Sequence, residues 1–405
     1  MVLRREVVFC LICLVVLVFS RRSDAQDWYL SPRFEATGEY NSNYFFSTND
    51  KVSDYFTHLK PSFDFARETE DTQLHLVTNL NAEEHLLHSY LDTVEDDSQA
   101  TLVHQWSARS STTFSGSFAR DETLNQELLA AGLITKRVER YSYGSGVSSD
   151  YALSENKKLT VGVNMMDTRY PGGQYPDMQL LDGRISPTWQ FNSTNTVGFL
   201  ADYSTADYSS APVGGYTSSV TNRILATSLT WQHNLSDSTS FNASGGLNTN
   251  WVQSTNSLRI KQSVLEFKQQ STDQNFIGTF SYNKDWTERF STTFAAGREQ
   301  YNAVTAQSYE HIYIRTNAGY KLSERTLFGV ELGYDSNTEN GGGTNATNSD
   351  FFRVSPSLTR RISERLSLSF NTSYGYIMES GNQDRDQIRV WVSLVYDWPR
   401  ALANH

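Results

Sequence analysis

Every second residue of the segment 388–398 is apolar: Ile388, Val390, Val392, Leu394, Tyr396 and Trp398. The intervening register, Arg389, Trp391, Ser393, Val395 and Asp397, is mixed. A period of two over this length predicts a strand with one wholly apolar face. The same alternation opens the chain after residue 27. Trp28, Leu30, Pro32, Phe34, Ala36, Gly38 and Tyr40 form the apolar register, and Ser31, Arg33, Glu35, Thr37 and Glu39 the polar one. Three charges in one register exclude a strand buried on both faces. Two further runs follow at once. In one, Tyr55, Leu59, Phe63 and Phe65 alternate with His58, Lys60, Ser62 and Asp64. In the other, Leu74, Leu76 and Leu80 alternate with Gln73, His75 and Asn79.

The rhythm of strand, short turn, strand, long loop continues to the C-terminus. Short turns fall near 67–71, 110–111, 154–156, 192–195, 235–238, 285–289, 322–325 and 362–365. Several share a wording, as in Leu322-Ser-Glu-Arg325 and Ile362-Ser-Glu-Arg365. Long loops fall near 41–53, 81–98, 122–137, 170–177, 207–219, 253–273, 301–307, 336–349 and 378–385. The segment 257–270 keeps no single register and reads as part of a hairpin standing above the rest. The count is roughly eighteen strands, with sixteen the alternative.

So many strands with apolar residues on one side only would leave a soluble protein with a very large exposed apolar surface. After the N-terminal segment no stretch approaches a helical membrane span, and the remaining way to cross a bilayer is a closed barrel. The expected fold is therefore all-β: one transmembrane, antiparallel, up-and-down barrel with short periplasmic turns and long extracellular loops. Aromatic residues make up 13% of the chain, with 22 Tyr and 22 Phe, which suits strands and interface girdles.

Residues 1–25 read as a signal peptide. Arg4 and Arg5 precede a 13-residue apolar run at 7–19, too short for a comfortable span, and Ser23-Asp24-Ala25 supplies small residues for cleavage. The mature barrel is then 26–405, in the outer membrane of a Gram-negative bacterium. Cys10 and Cys13, the two cysteines, both lie in the removed segment, so no disulfide or thiol chemistry is expected. Removing four arginines and two acids from a chain of net charge −11 leaves −13, which argues against a nucleic-acid partner. Lipid, lipopolysaccharide and the barrel-assembly machinery are the expected partners. The segment 390–398, with Val390, Val392, Leu394, Tyr396 and Trp398, is the expected assembly signal.

The densest histidine cluster is Glu83-Glu84-His85-Leu-Leu-His88. Its spacing matches no zinc motif, and the acidic stretch 83–97 matches no Ca²⁺ loop, so both read as solvated loop. There is no G-x-S-x-G and no phosphate-binding loop. No enzyme activity and no cofactor is expected. Loop 122–137 differs from the others. Leu124, Leu128, Leu129 and Leu133 recur at helical spacing, so a short helix either enters and narrows the pore or packs against neighbouring loops. The inward strand positions carry Arg33, Glu35, Lys60, Asp64, Arg315 and Arg389 among many Ser, Thr and Asn, as a water-filled lumen requires.

Residues 33–65, with Glu39-Tyr-Asn-Ser-Asn-Tyr44, Ser53-Asp54-Tyr55 and Leu59-Lys-Pro-Ser-Phe63, resemble the opening of the beta-barrel porin 2 family of bacterial outer-membrane proteins. The resemblance implies a porin-like channel linked to exopolysaccharide export components, passing polymer or small solutes. It carries no catalytic residues. The other reading of the barrel is a structural scaffold sheathing a periplasmic partner such as a multihaem cytochrome, and a barrel enzyme is the third.

Overall fold

Period-two alternation becomes eighteen long strands in the computed structural model, which describes residues 27–133, 136–210, 216–260, 263–339, 348–399 and 401–402. The signal-peptide reading of 1–25 lies outside the described residues. In chain order the strands are β1 (Asp27–Asn41), β2 (Asp54–Glu68), β3 (Thr72–His85), β4 (Thr93–Ser107), β5 (Ser110–Glu122), β6 (Glu139–Ser154), β7 (Lys157–Arg169), β8 (Asp177–Asn192) and β9 (Asn195–Ser209). Then follow β10 (Tyr216–Ser236), β11 (Thr239–Ile260), β12 (Ser263–Asp285), β13 (Phe290–Asn302), β14 (Ser308–Ser323), β15 (Thr326–Glu339), β16 (Asn348–Arg361), β17 (Leu366–Glu379) and β18 (Arg385–Asp397). A two-residue strand, β19 (Ala401–Leu402), and one helix, α1 (Thr123–Ala131), complete the set among the described residues, together with a single 3-10 turn at Ser89–Leu91.

Each long strand pairs antiparallel with its sequence neighbours, β19 pairs with β1, and β1 closes on β18 with Ala36 opposite Leu394 and Gly38 opposite Val392. The ring is complete, so no long edge is left at the closure. The register puts the apolar set outside. Tyr55, Leu59 and Phe63 on β2 are exposed, as are Ile388, Val392 and Leu394 on β18, while Phe56, His58, Gln387 and Ser393 in the alternate positions are buried. An exterior of this kind is stable only with hydrocarbon as its solvent. Six of the eight tryptophans, Trp28, Trp106, Trp189, Trp231, Trp286 and Trp398, lie at the turn end of the barrel and form an interfacial girdle there.

The recurrent turn wording has a physical cause. The Ser323 hydroxyl accepts the Arg325 N–H at 3.3 Å, and Ser363 does the same for Arg365 at 3.3 Å. Thr287 accepts from Arg289 at 3.2 Å. Each hydroxyl satisfies a turn amide that the ladder cannot reach.

Three boundaries differ from the expectation. The turn between β4 and β5 sits at 108–109 rather than 110–111. The expected loop 81–98 is mostly strand, with Glu83 paired opposite Thr93, so only 86–92 connects β3 to β4. The hairpin around 253–273 is continuous ladder up to Ile260 opposite Ser263. It makes β11 and β12 the longest strands, at 22 and 23 residues, as an extension of the barrel wall.

Candidate functional site

The mouth on the loop side is where the chain departs from a plain barrel. Helix α1 leaves β5, and Thr123 anchors its base: the Thr123 amide donates to Val138 O at 3.1 Å, and its hydroxyl bonds the Lys136 carbonyl and accepts the Val138 amide at 3.1 Å. The helix ends where Gly132 adopts φ +70°, with its amide on Leu128 O at 3.0 Å and the Leu133 amide on Glu127 O at 3.4 Å. This is the left-handed termination that glycine permits. Of the four leucines, Leu124, Leu128 and Leu133 are buried, the last just past the helix, and the Leu129 side chain lies outside the described residues.

What buries Leu128 and Leu133 is chiefly the opposite wall. Leu128 packs with Phe46, Phe351 of β16 and Ile377 of β17. Ala131 and Leu133 pack with Ala303 and with Tyr309 of β14. Arg315 of β14 donates to Ala130 O at 3.1 Å and Asn337 of β15 to Ala131 O at 2.6 Å, satisfying the last helix carbonyls, where a cation is also favoured by the helix dipole. In an eighteen-strand ring, the β5–β6 junction and the β14–β15 hairpin lie half a circumference apart. A helix attached at one and bound at the other crosses the lumen.

Other loops close around it. Val138, Tyr170 and Val304, from three different connections, form one apolar cluster. Tyr44, Phe56 and Leu91 form another. Arg137, just before β6, binds the Glu122 carboxylate and the Leu91 carbonyl, and lies 5.6 Å from the centre of the Tyr44 ring. Burial pushes the Tyr44 phenol far above its ordinary value, so it stays protonated and donates to Glu83 at 3.0 Å. Loop 42–53 is held in the mouth by Asn43, which donates to Asp386 O at 2.9 Å and accepts from Gln387 at 2.8 Å through its own carbonyl.

The cluster around His85 is a correction to the sequence reading. Glu83 and His85 are not solvated: they end β3 facing inward and are buried. His85 lies between Asp54 at 2.9 Å and Glu83 at 2.6 Å, and His58 stands 3.3 Å from Glu83 and 3.6 Å from Glu39. The acidic stretch 83–97 is likewise part strand: Glu95 is hydrogen-bonded by Asn81 at 2.8 Å, and Asp92 accepts the His85 amide at 2.8 Å. Among the described residues no group of three or more His, Cys, Asp and Glu has metal-holding geometry.

The other singled-out charges are distributed round the inner wall. Arg389 binds Glu39 at 2.6 Å. Arg33 is 3.8 Å from both Glu35 and Asp397. Glu35 stands opposite Lys60 in the ladder, and Asp64 is 3.8 Å from His75. Arg315 also binds Asp335 at 3.0 Å, and Asp335 accepts from His311 at 2.9 Å. Between the charges the wall is hydroxyl and amide, as at Thr293, Asn317, Ser355 and Asn371. Sequence reasoning missed Phe46, Arg315 as a helix partner, and Asn337. Their only signal was an inward or loop position at the mouth end.

A closed eighteen-strand barrel with an apolar exterior and a tryptophan girdle is a bacterial outer-membrane β-barrel of the Gram-negative type. No family model and no curated protein matches the chain. Solved structures do. The open form of the ferric-catecholate import receptor Fiu from E. coli K12 is similar at TM-score 0.51 and 7% identity, over 93% of this chain and 82% of that one. The copper transporter OprC is similar at TM-score 0.52 and 9% identity, over 89% of this chain and 64% of that one. The outer membrane protein OpdK from Pseudomonas aeruginosa aligns at TM-score 0.43 and 11% identity, over 91% and 99%. The first two likenesses show the fold and nothing finer.

Proposed function

We propose that this barrel is an outer-membrane channel for small polar solutes, with α1 as its constriction. The observation that supports this is the double attachment of α1, rooted at Thr123 and bound across the lumen by Arg315 and Asn337. In this reading Leu124, Leu128 and Leu133 hold the helix in the mouth. Arg33, Glu35, Lys60, Asp64, Arg315 and Arg389 line the path in ion pairs or beside opposite charges, an arrangement with little net preference for either sign. The strand ending in Val390, Val392, Leu394, Tyr396 and Trp398 serves as the signal read by the assembly machinery. The resemblance of residues 33–65 to the porin family supports the polymer-linked version, with exopolysaccharide as cargo and export components as partners.

The test is conductance in a planar bilayer, with the native protein beside a variant lacking residues 123–133. Current that rises on deletion supports the channel with α1 as its gate. Steady and equal current in both removes α1 from the mechanism. Silence in both sinks the channel and favours the second reading, a scaffold barrel around a periplasmic partner. That reading draws on the apolar clusters that close the mouth.

A further inference from the structure

The seam between β12 and β13 is unlike the others. It holds eight residue pairs, from Asp285 opposite Ser291 to Gly278 opposite Arg298, the fewest of any neighbouring pair of long strands among the described residues. Neither strand ends there. β12 runs on to Ser263, paired on its β11 side alone, and β13 runs on to Asn302, paired on its β14 side alone. The wall forks. A tilted strand needs about 9–11 residues to cross the bilayer. Counted up from Trp286 in the girdle, the eight-pair seam therefore opens at the level of the outer leaflet. Glycine sits on each limb. A Cβ at Gly278 would lie 3.0 Å from Ser244 O, and one at Gly297 would lie 2.6 Å from the Tyr313 ring, so both limbs are thinned where they part.

The fork is apolar at its base and polar beyond it. The β12 limb presents Phe276, which is 57% exposed, on the outer face and Ile277 on the inner, and Asn275, Gln274 and Asp273 follow. The β13 limb presents Arg298, Glu299, Gln300 and Asn302. Arg298 binds Glu310 at 2.7 Å, yet its Nε, the Gln300 Oε1 and the Asn302 Oδ1 are buried without a hydrogen-bond partner. Such orphaned atoms are costly unless something pairs with them. An apolar base with polar limbs and unspent hydrogen-bonding capacity above it fits a molecule built the same way.

We propose that the fork is a lateral exit, through which an amphipathic molecule with an acyl chain passes between the lumen and the outer leaflet. The chain rides on Phe276 and Ile277, and the headgroup bonds the β13 limb. This does not depend on α1 acting as a gate, because the route avoids the mouth.

The native protein in nanodiscs containing phosphatidylcholine with a diazirine on its acyl chain tests it. After photolysis, adducts are mapped by mass spectrometry. Adducts at inward-facing Ile277 and Glu299, as well as at outward-facing Phe276, Phe280 and Phe294, are the expected result. Adducts confined to the outward residues overturn the proposal. An independent measurement uses a bimane label on Ile277→Cys, Phe276→Cys or Ile224→Cys, the last on the inner face of β10 where that strand is paired on both sides. Doxyl-labelled phosphatidylcholine is expected to quench the label at 277 nearly as strongly as at 276 and several-fold more than at 224. Equal, weak quenching at 277 and 224 would refute a lateral exit whatever the conductance shows.

Discussion

Gly132 offers a sharp handle on α1. Its φ of +70° is disfavoured for any residue with a Cβ, and a Cβ there would lie 2.8 Å from Phe351 Cβ and 3.3 Å from Asp335 Cβ. Neither contact is the far end of a flexible chain, so the helix must shift rather than the wall. Gly132→Ala therefore adds about 1–2 kcal/mol of backbone strain and about 1–3 kcal/mol of overpacking, all of it against the docked helix. Together this is about 2–5 kcal/mol, roughly thirtyfold to a few thousandfold in the ratio of docked to undocked helix. Gly381 supplies the control. It has φ +82° in the loop between β17 and β18, and nothing stands within 4 Å of its would-be Cβ. Gly381→Ala carries the backbone strain without the clash and away from α1.

The assay is the open fraction in single-channel recordings, with protease cleavage within 123–133 as a second readout. Gly132→Ala is expected to raise both strongly over native protein, and Gly381→Ala to leave both near native. If the two variants match each other and the native protein, α1 does not hold the mouth in the way its contacts imply.

Three further outcomes follow from other parts of the structure. Arg315→Ala with Asn337→Ala removes two hydrogen bonds to the last carbonyls of α1, worth about 0.5–1.5 kcal/mol each in net terms; a smaller rise in open fraction than Gly132→Ala gives is expected in the same recordings. Leu394→Arg puts a charge on the lipid face of β18, at a cost of about 2–4 kcal/mol near the midplane. Heat-modifiable, folded protein in the outer membrane should fall, while Ser393→Asn, on the inner face beside it, should assemble normally. His85→Ala removes one hydrogen bond from each of the buried Asp54 and Glu83 carboxylates, which keep their other partners, at a cost of about 1.5–3 kcal/mol per bond. A lowered urea midpoint for release of the β1–β3 wall, followed by hydrogen exchange, checks it.

The membrane-spanning part was legible because lipid enforces one rule along every strand. An apolar residue must face out and its neighbour need not, so period two survives even in β18, where Trp391 and Val395 interrupt the polar register. The turns were legible because a hydroxyl two residues before an unpaired amide is a local device. The mouth followed neither rule. Above the hydrocarbon the outward face need not be apolar, and the inward face is no longer wet, since α1 and loop 42–53 fill it. Polar residues there signal burial rather than exposure, which is why Glu83, His85 and Glu95 read as solvated loop and are wall.

The helix shows the limit from the other side. Its spacing announced an apolar face, but the face meets Phe46, Phe351 and Ile377, residues up to about two hundred and fifty positions away that carry no local mark of the contact. Only the strand count brings them together. Closing the ring at eighteen sets β14–β17 opposite the root of α1, and a ring of sixteen would shift that wall by a strand. Barrel size is thus part of the site: it decides which residues receive the helix, and with them whether Arg315 and Asn337 stand at its carbonyl end.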